Sequence, residues 1–499
     1  MNEHLSPQEF QILGHQIINR LSRFLDTIEN KPITPAENPE EVQQVLKSVD
    51  LPIEGSPPEK LIISTIENLI NHSLFNGHPR FMGYITSAAL PIGALADLIA
   101  STLNQNTGAW QLSPLASEIE RQTIKWIAEF IGYDTGCGGI LTSGGNMANF
   151  VGLLTARKSK GNADIQKAGL NSASQKMLMY ASEETHTWIQ KAADLFGFGT
   201  DAIRWISTNK GREMDVQLLE ETIIRDKKDR GHPFLVIGTA GTVSLGIVDP
   251  LDKISSICKR HDLWFHVDGA YGAPAAGLEN AHKQLKALHL ADSVALDPHK
   301  WLYSALEVGC VLVKDPRMMI ETFSHHPDYY EFGMEGKEIN YYEYGLQNSR
   351  GFRALKVWLS FQLLGKNGFI NLIEKDIHLS RLLVEKMSRY PAIIPFMNSL
   401  SITTFSYIPK HIQGKEEDHQ DYLNDLNKKI LQEVQKSGEA FISNAMINGK
   451  YLLRACLVNF RTREEDLDIL LDLTSKIGKT FERNTGAGTQ PSNYSILPP

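Results

Sequence analysis

Leu263-Trp264-Phe265-His266-Val267-Asp268-Gly269-Ala270-Tyr271 opens as an apolar strand, Leu263 to Val267, and delivers a carboxylate at its end, followed by small residues. A second apolar run, Val294-Ala295-Leu296, leads into Asp297-Pro298-His299-Lys300-Trp301. A carboxylate at the end of a buried strand is costly without a cation nearby. A lysine set among Pro, His and Trp is not placed like a solvated one. Burial there favours its neutral amine, the form that makes imines.

The pattern around these two stretches is repetitive. From about Ile92 to Lys314, short apolar runs alternate with helical ones. Strands are expected at 139–142, 176–181, 202–206, 234–238, 263–267 and 308–313. Helices are expected at 147–158, 188–196, 216–226 and 251–260. Such alternation implies crossovers and an α/β fold, a mostly parallel central sheet with helices on both faces. Ligands in such sheets sit at the carboxyl ends of the strands, which is where Asp268 and Lys300 fall.

Outside that region, three helical stretches (about 7–30, 39–49 and 59–73) are separated by proline-rich joints. They are too few to build a core alone, so residues 1–85 are expected to form an N-terminal helical segment that clasps another domain or subunit. Residues 86–365 form the large domain, closed by one long helix from Gly351 to Leu364. Residues 366–483 read as a small α+β domain with strands at 401–406 and 451–458. The polar stretch 484–499 reads as an unstructured tail. No internal repeat is present.

Composition narrows the function. The 58 acidic and 50 basic residues give a net charge of -8 with no basic block, which argues against nucleic acid as a partner. No signal pattern or membrane-length apolar stretch is visible, which leads to an expectation of a cytoplasmic protein with no membrane partner. Cys137, Cys258, Cys310 and Cys456 are scattered, and the His325-His326 pair lacks ligand spacing, so no metal is expected.

The chemistry-bearing motifs fall at strand ends. Thr142-Ser143-Gly144-Gly145-Asn146-Met147 joins a strand to a helix, and its glycines allow backbone amides to face a phosphate at the helix start. It has neither GxGxxG nor a Walker lysine, which argues against dinucleotides and nucleoside triphosphates. His186, after another strand, is either a ring that stacks on a planar cofactor or a helix-capping histidine. Gly238-Thr239-Ala240-Gly241-Thr242 is a run of small residues that lets a flat group approach the backbone. Pyridoxal 5'-phosphate (PLP) needs this set: a lysine for its aldehyde, an acid for its pyridine nitrogen and a phosphate cradle.

The chain resembles the group II pyridoxal-dependent decarboxylases, which include the aromatic-L-amino-acid, histidine, tyrosine and glutamate decarboxylases. The carrying segments are His78 to Met82, Ser113 to Glu120, Ser143 to Asn149, His186, His266 to Gly272, Asp292-Ser293, Asp297 to Trp301 and Ser349 to Phe352. The resemblance runs to about Phe481 and implies the PLP-dependent transferase fold (fold type I). It implies Lys300 as the cofactor-linking lysine, Asp268 as the pyridinium partner, His186 as the stacking ring and Ala270 on the opposite face. Gly144, Gly145, Asn146, Ser293, His299 and Ser349 complete the cofactor contacts. A loop tyrosine would return the proton after carbon dioxide leaves, Tyr329 first and Tyr330 second. The family further implies a homodimer with the active site at the interface.

The implied reaction converts an L-amino acid to its amine, with an aromatic substrate expected and pocket residues Tyr84, Thr86, Trp110 and Thr187. Val243 stands where aromatic-amino-acid decarboxylases place a second threonine, and Gly108 and Ile85 stand where aromatic pocket residues are expected. Glutamate or diamino-acid decarboxylation, carbon-carbon lyase or aminotransferase chemistry, and a catalytically silent PLP-binding protein remain the alternatives.

Overall fold

The computed structural model describes residues 5–46, 50–161, 165–173, 175–325 and 338–486. The chain divides into two units. One comprises Ile85–Ser380 with Asn398–Ile402, and the other Met1–Tyr84, Arg381–Met397 and Thr403–Pro499.

Seven strands form the sheet of the larger unit: Gly138–Thr142 (β1), Met177–Ser182 (β2), Ile203–Ile206 (β3), His232–Thr239 (β4), Trp264–Asp268 (β5), Ser293–Leu296 (β6) and Gly309–Val313 (β7). Their order is β1-β7-β6-β5-β4-β2-β3. Neighbours from β3 through β6 pair in parallel, while β7 is antiparallel to both β6 and β1. Two reversals restore direction, so β1 runs the same way as β6. Six strands therefore present their carboxyl ends along one edge of the sheet.

Local chemistry explains why these elements form. β1, β2, β5, β6 and β7 are buried along their whole length, as expected for apolar runs covered on both faces. The helix Gly145–Lys160 packs on β4, β5, β6 and β7. Leu251–His261 packs on β4 and β5, and Pro114–Ile131 on β1. Asp215 caps the helix Val216–Lys228 through the backbone N–H groups of Gln217 and Leu218. The helix read as 351–364 is seen as Ala354–Met387, broken at Gly365, whose φ of 60° no helical residue adopts. The strand β6 was visible in sequence only as the apolar run 294–296.

In the smaller unit, the helices Pro7–Thr27 and Pro58–Asn71 pack together. The strands Ile393–Ser399 (β8), Ile402–Tyr407 (β9), Ser443–Ile447 (β10) and Lys450–Cys456 (β11) form a second sheet in the order β10-β11-β9-β8, with the ends of β8 and β9 belonging to the larger unit. Asn448 and Gly449, both at positive φ, close the β10–β11 hairpin. The segment after His78 is stitched onto this unit: the Met82 N–H donates to the Phe441 carbonyl at 2.7 Å, and the Asn459 amide to the His78 carbonyl at 2.7 Å. The helix Glu464–Gly486 reaches three residues into the stretch read as a tail. The remainder of that stretch lies outside the described residues.

Candidate active site

Five of the strand ends on the common edge converge on one cavity of about 370 Å³, lined entirely by residues of the larger unit. Behind β1, Gly144 takes φ 135°, a conformation that favours glycine, and the helix Gly145–Lys160 begins with no side chain capping its N-terminus. The fit around this turn is tight. A Cβ on Gly309 would lie 2.5 Å from the Gly144 carbonyl carbon, and one on Gly145 would lie 2.6 Å from Asp297 Oδ2.

Behind β2, the Trp188 backbone N–H donates to His186 Nδ1 at 3.2 Å. This leaves Nε2 to carry the proton of the neutral ring. The ring lines the cavity, and the residue as a whole is exposed. Partial burial, helped by Lys300, holds its pKa below the usual value against the opposing pull of Asp268 and Asp297.

The carboxylate of Asp268, at the end of β5, is buried and served by two donors. Trp188 Nε1 donates to Oδ2 at 2.8 Å and the Ala270 N–H to Oδ1 at 3.1 Å. Beneath it runs a chain of fully assigned hydrogen bonds. Trp264 Nε1 donates to Ser293 Oγ at 2.8 Å, Ser293 Oγ meets His266 Nδ1 at 2.7 Å, and His266 Nε2 meets Asn149 Oδ1 at 2.7 Å. Asn149 Nδ2 donates onward to the Gly145 carbonyl at 2.9 Å. Asn149 therefore presents only its oxygen to His266, so Nε2–H is the donor there, and the Ser293 hydroxyl donates to Nδ1. Complete burial pushes His266 down to about 4, which keeps it neutral in this role.

After β6, the Asp297 N–H donates to the Ala270 carbonyl at 3.1 Å, tying the two motifs together. Lys300 Nζ lies 2.9 Å from Asp297 Oδ2, and its side chain is 22% exposed. The lysine is thus paired with a neighbouring carboxylate rather than isolated in an apolar site. Among the described residues, buried Asp297 Oδ1 meets no hydrogen-bond partner. His299 Nδ1 accepts from the Val308 N–H at 3.1 Å, and Nε2 points toward Asp297 Oδ2 at 3.8 Å. Behind β4, Thr239, Gly241 and Val243 reach the cavity. Asp249 braces that turn through the Thr239 and Met214 N–H groups, and its burial pushes its pKa up to about 6.

Of the residues singled out in the sequence, Gly144, Gly145, Asn146, His186, Asp268, Ala270, His299 and Lys300 all line this cavity. Ser293 does not. Its hydroxyl is held beneath the sheet edge between Trp264 and His266. Ser349 is exposed and is not among the lining residues, while the adjacent Arg350 is buried. Its buried guanidinium pairs with Glu120 and donates to the Leu141 carbonyl at 2.7 Å, clamping β1 just before the glycine turn. Thr86, Trp110 and Thr187 are not among the lining residues, and Trp110 Nε1 is committed to Glu118 at 3.1 Å. Tyr84 belongs to the smaller unit, where its carbonyl accepts from Arg454. Tyr329 and Tyr330 lie outside the described residues. Sequence reasoning assigned no role to Asp297, Trp188 or Asn149, although the first two flank residues it did select.

Among the described residues, no cluster of histidine, cysteine or carboxylate side chains is placed to hold a metal ion, and no helix is long and apolar enough to cross a membrane.

Residues 39–408 match the family described as the pyridoxal-dependent decarboxylase conserved domain. An aromatic-L-amino-acid decarboxylase of Bacillus atrophaeus is 34% identical over 93% of this chain and 95% of its own length. The acidic amino acid decarboxylase GADL1 of Homo sapiens is 30% identical over 90% of this chain and 87% of its own. The crystal structure of mouse CSAD superposes with a TM-score of 0.88 at 25% identity, covering 95% of this chain and 99% of the mouse chain.

Proposed function

Because this chain belongs to the pyridoxal-dependent decarboxylase family, a family of PLP-dependent lyases, we propose that it decarboxylates an aromatic L-amino acid to the amine, with Lys300 as the cofactor-linking residue. The residues fit the cofactor. A glycine turn, tight against Asp297 at Gly145 and at positive φ at Gly144, opens a helix with no side-chain cap, and the buried carboxylate of Asp268 and Lys300 line the same cavity. When bound, PLP supplies a sink for the electron pair released as carbon dioxide leaves.

The chain's own groups carry the remaining tasks. Gly144, Gly145 and Asn146 hold the phosphate, with His299 beside it. Asp268 would face the ring nitrogen, with His186 on one face of the ring and Ala270 on the other. Tyr329 is the proposed proton donor to the substrate carbon.

The lining of the cavity carries the choice of substrate. Ile85, Met147 and Val243 give it apolar walls, and Lys300 is the only lysine or arginine among the described lining residues. With Lys300 committed to the cofactor, no described lining residue offers a lysine or arginine to an acidic side chain. The aromatic-L-amino-acid relative agrees with that reading, and the acidic amino acid decarboxylase relatives define the competitor.

Exposed Leu95, Leu98, Ile99 and Leu103 form an apolar face on the helix Pro91–Leu103. That face supports a homodimer. Four free cysteines accord with a cytoplasmic location.

The test incubates purified protein and PLP with a panel of aromatic, acidic and basic L-amino acids while carbon dioxide and amine are both measured. Equimolar carbon dioxide and amine from an aromatic substrate is expected. Turnover confined to aspartate, glutamate or cysteine sulfinate would assign the acidic alternative. Lys300→Ala should abolish both turnover and any borohydride-reducible adduct.

A further inference from the structure

Trp188 touches both groups that the proposed function sets against the cofactor ring. Its backbone N–H donates to His186 Nδ1, and its indole Nε1–H donates to Asp268 Oδ2 at 2.8 Å. The side chain is essentially inaccessible yet forms part of the cavity wall. Its ring stands edge-on to His266, with centroids 6.0 Å apart at an angle of 81°. His266 is in turn locked by Ser293 and Asn149. The indole therefore has one rigid orientation, and its single donor is spent on a carboxylate oxygen.

We propose that Trp188 is a positioning residue for the ring nitrogen of the cofactor: its indole N–H fixes Asp268 Oδ2 and so turns Oδ1 toward that nitrogen. The inference rests on PLP binding at this cavity. Two physical effects follow from the contact. A carboxylate that rotates freely presents either oxygen in many orientations, whereas one pinned at Oδ2 by an indole and at Oδ1 by the Ala270 N–H has a single orientation. The indole N–H also gives the buried carboxylate oxygen a hydrogen-bond donor that it would otherwise lack. The same residue orients His186, so the acid and the stacking ring are held by one side chain and its own backbone.

The experiment compares two cofactors on the full-length protein: PLP, and its deaza analogue in which the ring nitrogen is replaced by C–H. Dissociation constants are measured by equilibrium dialysis for the wild type and Trp188→Phe, together with the visible spectrum of the bound chromophore between pH 6 and 9. The PLP dissociation constant is expected to rise roughly tenfold in the variant and its spectrum to change its pH dependence. Affinity for the deaza analogue should stay within about twofold of wild type, since that cofactor has no nitrogen for Asp268 to meet.

Equal losses with both cofactors would overturn the proposal and leave the PLP assignment standing. Failure of the wild type to form a reducible adduct with PLP would overturn the assignment itself, and this inference with it. Should Trp188→Phe fold poorly, benzothienylalanine placed at 188 keeps the ring shape and replaces the N–H with sulfur. The same split between the two cofactors is expected from it, and its absence would count against the proposal.

Discussion

Asp297 Oδ2 lies 2.9 Å from Lys300 Nζ, and the same oxygen lies where a Cβ on Gly145 would come within 2.6 Å. One carboxylate therefore borders both the lysine and the glycine turn proposed to hold the phosphate. An anion beside an anion site opposes phosphate binding, with the Lys300 ammonium as its counter-ion. Asp297→Asn keeps the shape and removes the charge. The PLP dissociation constant of this variant should fall by roughly three- to tenfold, measured by fluorescence titration.

Gly145→Ala tests the cradle itself. The added methyl meets Asp297 Oδ2 at 2.6 Å in a turn also hemmed in by Gly309. Weaker PLP binding by at least about tenfold is expected. The same clash opposes the gain in helix propensity, so the unfolding midpoint without cofactor should fall modestly.

Arg350 and Glu120 are an ion pair with side chains 1% and 0% exposed. Removing one partner strands a buried charge at a cost of about 3–5 kcal/mol, whereas removing both is far milder. Arg350→Met should therefore lower the unfolding midpoint sharply, and Arg350→Met with Glu120→Leu should recover most of the loss. PLP affinity should stay reduced in both variants, because the Leu141 carbonyl loses its clamp.

His266 tests pH dependence. Its folded pKa of about 4 lies below the unfolded value of 6.5, so the unfolded chain binds the extra proton. Its contribution is constant above about pH 6.5 and is lost as pH falls toward 4, by roughly 2 kcal/mol between pH 7 and 5. His78, also held at about 4, adds to this slope. Asp249, raised to about 6, acts in the opposite sense and gains stability as pH falls from 6 toward 3.8. The informative quantity is therefore a difference. Between pH 7 and 5, urea unfolding of His266→Asn should lose less stability than the wild type does.

The α/β alternation, the glycine turn and the Asp268 and Lys300 positions were legible because each is a local signal, an apolar run closed by a polar residue or a glycine pair. The surroundings of Ser293 were hidden for a non-local reason. It stands beside His266 only through the β5–β6 register, which pairs those two residues and which no local pattern states. Trp188 was hidden similarly. Eighty residues separate it from Asp268, and the hydrogen bond exists only because β2 and β5 both flank β4. Arg350 was hidden in the same way: it clamps β1 through the Leu141 carbonyl, 209 residues away in sequence.

The reversed strand β7 has a mechanical consequence. Because it runs against its neighbours, its first residue, Gly309, arrives at the edge where the other strands finish, only nine positions after Lys300. The chain needs no crossover there and leaves no slack between the lysine and the backbone that backs the phosphate turn. A side chain at 309 would press on Gly144, and an insertion in 301–308 would loosen both at once. The lysine and the cradle are tethered parts of one short lever.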